Sequence, residues 1–321
     1  YQSKDGITIP QYGLSQVGLT GKQLIARVPY WLDAFYINGE YESFATFGEL
    51  AYDFNDRFTL RGVVRLARGR SWPLTILGRG SNVVVDDDGV HGLVVLNRSG
   101  GAVVDADTAV ITADSGLSMA KLATLAAEAG LTGAEFTLAI PGNVGGAVWA
   151  SAGAHGGEIS EIVQSVAVLR ADGSEEVLPR EALALSYRDS RFKREAGRGD
   201  VILGAEFQLQ RGEPDRIRAQ LDEIRRWRRE HQPLGIPSAG SVFRNPPGDR
   251  SAGALIEAAG LKGRQIGGAE ISTMHANWIL NRGGATAADV RALHDLSRAE
   301  VERTAGITLE TEIVFLGGAS G

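Results

Sequence analysis

The 321 residues contain no cysteine. That rules out disulfides, zinc-thiolate sites and thiol nucleophiles, and it agrees with a reducing compartment. No apolar run approaches the ~18 residues of a membrane span, and the first thirty residues lack a basic segment followed by an apolar one. A cytoplasmic location with no membrane partner is the expectation. Positive charge is also short: 33 Lys and Arg against 39 Asp and Glu leave a net charge of −6, the wrong balance for a surface that neutralises nucleic-acid phosphates. The expected partner is a small molecule, and no metal site is evident. Glycine is the residue in excess, with 42 copies that fall between short apolar runs, as tight turns and close backbone approach to a bound group require.

The length exceeds what one hydrophobic core usually spans. Short apolar runs bounded by turn residues read as strands at Pro73–Leu77, Gly92–Leu96, Ala109–Thr112, Val163–Leu169 and Val201–Gln208. Asp172-Gly173 signals a type I′ hairpin, so the strands are at least partly antiparallel. Helical periodicity covers Ser118–Glu128, with Gly130 as the stop, and Pro214–Glu230, with Ile217, Leu221, Ile224 and Trp227 on one stripe. A further helix starts at an N-cap Thr286 with Asp289 three residues on, turns Val290, Leu293 and Leu296 inward, and ends at Gly306. Arg225, Arg226, Arg228 and Arg229 share their helix with Asp222, Glu223 and Glu230 and read as a solvated face. The division expected is 1–55 as an irregular aromatic segment, 56–212 as one domain and 213–321 as another, the boundary lying at the Gly-Glu-Pro before the long helix. The fold class is α+β.

Gly78-Arg79-Gly80-Ser81-Asn82 follows a strand but runs into Val83-Val84-Val85, so it opens no helix as a Rossmann fingerprint must. Such a loop can hold a pyrophosphate through successive N–H groups, or be a plain tight turn. A second cluster, Ile140-Pro141-Gly142-Asn143-Val144-Gly145-Gly146, continues to Gly153, and Gly145-Gly146 removes two side chains where a flat ring or phosphate could approach. His155 reads as a packing residue. Near the C-terminus, Glu310 and Glu312 lie two apart in the extended run Leu309–Leu316, which puts both on one strand face. Arg188 is either an anion clamp or the partner of Asp189, and Ser241 is a plausible proton donor once preorganised electrostatics help it.

Taken with Tyr187-Arg188-Asp189-Ser190, Ser238-Ala239-Gly240-Ser241-Val242-Phe243-Arg244-Asn245-Pro246, Ala258–Gly263 and His275-Ala276-Asn277, these segments resemble, in order and spacing, the UDP-N-acetylenolpyruvylglucosamine reductases, flavoenzymes with a vanillyl-alcohol-oxidase type of FAD domain. The resemblance runs from about Pro73 to Gly317. It implies that Gly78, Arg79, Gly80, Ser81, Asn82, Ile140, Pro141, Gly142, Gly145, Gly146 and Gly153 hold FAD. It also implies that NADPH is the reductant, and that Arg188, Ser241 and Glu312 act on a sugar-nucleotide enolpyruvyl ether. Tyr187, Arg244, Asn245, His275 and Asn277 are the implied substrate contacts. Of the two carboxylates, the resemblance selects Glu312; Glu310 reads as solvent-facing. The chain is expected to be a monomer of the shorter subtype, lacking an inserted tyrosine lid, and it has no Thr-Thr-Phe-type segment in Tyr1–Asn55. Arg244 stands for the family's usual lysine, and Ser151 and His155 for its asparagine and tyrosine. Two other readings stay open: an FAD oxidase of the same fold, and a non-enzymatic binder of flavin or sugar nucleotide.

Overall fold

Runs of Val, Ile and Leu with period-2 burial build the first sheet, because β-branched side chains pack well on a pleated, half-buried surface. In Val110–Asp114, Ile111 and Ala113 point into the core while Thr112 faces out. The structure is a computed structural model that describes residues 60–317 and, ahead of them, only the strands Leu24–Val28, Leu32–Asp33 and Gly48–Ala51. The aromatic residues Tyr30, Trp31, Phe35 and Phe44 of the N-terminal segment lie outside the described residues. Two compact units result: one of the chain up to Arg79 with His91–Leu221, the other of Gly80–Val90 with the chain from Asp222 onward. The chain passes between them twice near residue 80 and once inside the helix Pro214–His231.

In the first unit, five strands are ordered Glu175–Pro179, Val163–Leu169, Val201–Gln208, Val110–Asp114, Ala102–Asp105, all antiparallel. Ile111, Val166 and Phe207 of this sheet share a core with Met119 and Leu122 of the helix Met119–Glu128 and with Val144 and Val148 of the helix Val144–Ala150. A second, mixed sheet pairs Leu74–Leu77 in parallel with Leu93–Asn97 and continues through the three N-terminal strands. The helix Leu60–Gly69 buries Leu60, Val63, Val64 and Ala67, the i, i+3, i+4, i+7 spacing of one helical stripe, against Leu93 and Val95.

Several sequence expectations need correction. The strand expected from Ala109 begins at Val110 because Ala109 has φ +56°, a left-handed backbone that no strand accommodates. The turn at Asp172-Gly173 is not type I′: only Gly173 has positive φ (+88°). The Asp172 carboxylate accepts from the Ser174 N–H (2.8 Å) and O–H (2.6 Å), and this local bonding favours a three-residue loop with glycine in the last place. Trp227 is 40% exposed rather than inside its stripe; its ring stacks on His231 at 4.7 Å.

In the second unit the sheet order is Ser238–Ser241, Trp278–Asn281, Ala269–Ile271, Gln265–Ile266, antiparallel, and Val83–Val85 pairs in parallel with Val314–Leu316. The helix Ala287–Ala305 starts as the sequence predicts: the Thr286 hydroxyl accepts from the Asp289 N–H and the Asp289 carboxylate from the Thr286 N–H, both 3.0 Å. Asp87 adds a second cap, accepting from the Ala287 (2.7 Å) and Ala288 (3.1 Å) amides, where the helix dipole favours a carboxylate. Among the described residues no helix is long and apolar enough to cross a membrane.

Glu270, 7% exposed, accepts from Arg282 Nη2 (2.7 Å) and Gln265 Nε2 (2.6 Å). Arg282 first, then Gln265, hold its carboxyl below the ordinary value. A folded-state pKa below the unfolded one, about 4.3, means that the stabilisation is complete above the unfolded value and disappears as pH falls through the folded one. Glu270→Gln is therefore expected to lower Tm by roughly 2–5 °C at pH 7, with the gap to the parent closing in acid. Equal gaps at pH 7 and in acid would show that the ionised pair contributes nothing.

Candidate active site

Three strands of the first unit end beside one another, and their next residues carry polar side chains into a buried floor. After Leu93–Asn97, the Asn97 Nδ2 donates to Ser115 Oγ (2.7 Å) and its Oδ1 accepts from the Ser99 N–H (3.0 Å). After Val110–Asp114, the Gly116 N–H donates to Ser99 Oγ (3.0 Å). A Cβ on Gly116 would stand 2.5 Å from the Ser99 nitrogen and 2.8 Å from Asn97 Oδ1, so only glycine lets these strand ends close. After Leu74–Leu77, Gly78 abuts Asn143, whose Oδ1 would lie 2.7 Å from an added Cβ.

The expected second loop packs on the same floor. The Met119 N–H donates to the Gly142 carbonyl (3.1 Å), Val144 to Leu117 (2.9 Å) and Gly145 to Ser115 (2.8 Å). Gly145 and Gly146 do not clear one common face. They are successive helical residues, about 100° apart; a Cβ on Gly145 would meet Ser115 at 3.0 Å, while one on Gly146 would meet nothing within 4 Å. Asn143 Nδ2 donates to the Gly116 carbonyl, but its Oδ1, like the Ser151 Oγ, is buried with no hydrogen-bond partner. Ile140 is half-buried against the core, Pro141 exposed. A polar floor with unsatisfied buried oxygens beside an open glycine suits the polar chain and flat ring of a dinucleotide flavin. Asn97, Ser99, Ser115 and Gly116 escaped the sequence reading; their only signal was a polar or small residue just past each strand.

Arg188 also belongs to the first unit. Ser186 and Asp189 exchange both backbone bonds (3.0 Å each), a tight turn that holds Arg188 at φ +56°, a conformation that costs a non-glycine residue energy and concentrates at functional sites. Lys193 Nζ donates to the Arg188 carbonyl (2.7 Å). The guanidinium donates to the carbonyls of Gly153 (2.7 Å) and Ser151 (3.4 Å) and lies 5.1 Å from the Tyr187 ring, itself 46% exposed. Gly153 is thus a receptor for Arg188, and a Cβ there would meet the Gly157 carbonyl at 2.9 Å. Asp189 pairs with Arg194, Nε to Oδ2 at 2.9 Å.

Ser241 and Glu312 both belong to the second unit. Beyond the strand Ser238–Ser241, the Glu312 N–H donates to the Val242 carbonyl (2.8 Å) and the Arg244 N–H to the Glu310 carbonyl (2.9 Å), so Ser241 and Glu312 sit on adjacent backbones. Asn82 locks this segment: its Nδ2 donates to the Glu312 carbonyl (3.0 Å) and its own carbonyl accepts from Val314 (2.9 Å). Ser81 presents its carbonyl to Gly240, and Arg79 and Gly80 are exposed. Asn277, 3% exposed, clamps Phe243 with Oδ1 on its N–H (3.0 Å) and Nδ2 on its carbonyl (2.8 Å). No described residue hydrogen-bonds the Ser241 hydroxyl, which is half-buried.

The other expected contacts are more dispersed. His275 is half-buried, accepts the Asn277 N–H on Nδ1 (3.3 Å), and has its pKa pushed down by burial. Asn245 Oδ1 caps the helix Ala252–Ala258 at Ala252 (3.0 Å). Arg244 reaches Glu310 at 3.4 Å, and Glu310 is exposed. The run Leu309–Leu316 is not one strand with both carboxylates on a face: only Val314–Leu316 is regular, because residues 310–312 follow the irregular backbone at 242–244.

Comparison with known proteins identifies the relatives of this chain. The family model described as "UDP-N-acetylenolpyruvoylglucosamine reductase, C-terminal domain" matches residues 232–316, and "FAD binding domain" matches 55–178. The UDP-N-acetylenolpyruvoylglucosamine reductase of Heliobacterium modesticaldum is 43% identical over 268 residues, 83% of this chain and 84% of its own. That of Bacillus velezensis is 40% identical over 259 residues, 81% and 84%. The crystal structure of UDP-N-acetylenolpyruvylglucosamine reductase from Thermus caldophilus superposes with a TM-score of 0.67 at 35% identity, covering 78% of this chain and 88% of that one.

Proposed function

The chain belongs to the UDP-N-acetylenolpyruvoylglucosamine reductase family, and on that premise we propose that Arg188, Ser241 and Glu312 carry out its reaction. The protein is an FAD-dependent oxidoreductase that reduces UDP-N-acetylglucosamine enolpyruvate to UDP-N-acetylmuramate with NADPH, a step of peptidoglycan precursor synthesis. Gly78, Arg79, Gly80, Ser81, Asn82, Ile140, Pro141, Gly142, Gly145, Gly146 and Gly153, with Asn97, Ser115, Gly116 and Asn143, are the residues that hold FAD. When bound and reduced by NADPH, FAD supplies the hydride.

Reduction of an enol ether conjugated to a carboxylate needs a proton on the carbon next to the one that takes hydride, and stabilisation of the negative charge that gathers on the carboxylate. Arg188 binds that carboxylate; its guanidinium carries five donors, oriented here by the Gly153 and Ser151 carbonyls. Ser241 delivers the proton through its hydroxyl. Glu312 polarises that hydroxyl and stabilises its transfer. Tyr187, Arg244, Asn245 and His275 contact the sugar nucleotide, and Asn277 fixes the backbone of Val242 and Phe243 just past Ser241. The enzyme acts as a monomer in the cytoplasm, where NADPH and sugar nucleotides are made. The observation that carries this reading is the Glu312 N–H bond to the Val242 carbonyl, with Asn82 bonded to the same residue, because it ties the backbone of Glu312 to the residue that follows Ser241.

The test is an anaerobic pair of half-reactions on FAD-loaded protein. NADPH should bleach the flavin absorbance, and UDP-N-acetylglucosamine enolpyruvate should then restore it. Bleaching that only oxygen reverses would overturn the assignment in favour of an oxidase.

A further inference from the structure

One buried histidine of the second unit has no part in the roles above. His294 is 6% exposed on the helix Ala287–Ala305. Its ring stacks on Phe243 (4.8 Å between centroids, 22° between planes) and meets Phe315 edge-on at 5.6 Å. Nδ1 lies 2.8 Å from the Asp295 carboxylate and Nε2 lies 2.7 Å from the Thr311 hydroxyl. A proton on Nδ1 donated to that carboxylate leaves Nε2 to accept the Thr311 O–H.

Three of these contacts, Thr311, Phe243 and Phe315, land within three residues of the acid–base pair. Thr311 directly precedes Glu312 and forms a lone bridge with Phe243, while Phe243 is two residues past Ser241. Phe315 belongs to the strand that follows Glu312. The segment 310–313 lies outside any regular strand and is held to 242–244 by a few backbone bonds, so side-chain contacts beneath it add to what sets its height. We infer that the Asp295–His294–Thr311 chain is a positioning device for the known reaction, setting the height of Glu312 against Ser241 from beneath. The inference rests on the catalytic roles proposed for that pair. Thr311 is tied by its backbone bridge and its hydroxyl faces the helix, so the chain orients neighbours and does not touch substrate.

Such a device has a kinetic signature that a loss of general stability lacks. In stopped flow on the FAD holoenzyme, Thr311→Val is expected to slow substrate-driven reoxidation roughly tenfold, the scale of one hydrogen bond lost in a transition state. NADPH-driven bleaching should stay within about twofold, and Thr311→Ser should recover the parent rate. His294→Phe, which keeps the stacking but not the nitrogens, should show the same split, and the double variant should lose no more than either single one. Parent-like reoxidation in both single variants, or an equal fall in both half-reactions, would overturn the device. Failure of the parent itself to be reoxidised by substrate would instead remove the functional reading beneath it.

Discussion

Ser241→Ala is expected to bleach normally with NADPH and then to be reoxidised by the enolpyruvyl substrate about 10²–10⁴ times more slowly than the parent, the usual contribution of one positioned proton donor. The fold offers the substituted enzyme little reason to rearrange. Residue 241 is held by backbone pairing with Trp278 and by the neighbouring Val242–Asn277 and Glu312–Val242 bonds, none of which uses the hydroxyl. Binding of the sugar nucleotide should change far less than kcat, since the hydroxyl is needed only once charge develops on the carbon skeleton. A variant that keeps the parent's reoxidation rate would remove Ser241 from the chemistry and leave Glu312, or water held by it, as the proton source. A variant with raised KM and unchanged kcat would make Ser241 a binding group only.

What the sequence could announce was set by local rules. The Thr286–Asp289 capping box, the Gly130 and Gly306 stops and the strands Val163–Leu169 and Val201–Gln208 each follow from residues within a few positions. The segment around Ser241 was legible because its unusual residues are contiguous. The rest depends on pairings across long stretches of chain. Nothing local tells that Val83–Val85 pairs with Val314–Leu316, or that Asn82 bonds Glu312 across 230 positions. This is why the transfer of Gly80–Val90 to the second unit could not be anticipated. The buried floor of Asn97, Ser99 and Ser115 was invisible for the same reason: each is an ordinary polar residue at or just past a strand end, and only the packing of two separate sheets brings those ends together. Glycine clusters drew attention by number, yet Gly145 packs on Ser115 and the isolated Gly116 has the tighter fit. His294 went unnamed because an inward histidine on a helix reads as filler until Thr311 is placed against it.

Gly116 therefore offers the sharpest test of the cofactor floor. An added methyl would collide with the Ser99 backbone, its carbonyl oxygen as well as its nitrogen 2.5 Å away, and with Asn97 Oδ1 at 2.8 Å. Backbone atoms in a strand end cannot swing aside as the tip of a lysine would, so Gly116→Ala must separate the ends of Leu93–Asn97 and Val110–Asp114. That movement breaks the Gly116–Ser99 and Asn97–Ser115 bonds, both between buried partners, and leaving such groups unsatisfied costs about 1–3 kcal/mol each. The second unit contains none of these residues, so its melting should be spared. The expected result is a protein that purifies with under about a tenth of the parent's flavin per chain, since a loss of 1.4 kcal/mol already means a tenfold weaker equilibrium, and whose first unit unfolds at lower temperature. Gly146→Ala is the matched control: a methyl there meets no protein atom, so the first unit should melt as in the parent. Any fall in its flavin content then reports contact with FAD itself. Full flavin occupancy in Gly116→Ala would mean that the strand ends are looser than their hydrogen bonds imply and that FAD is held elsewhere.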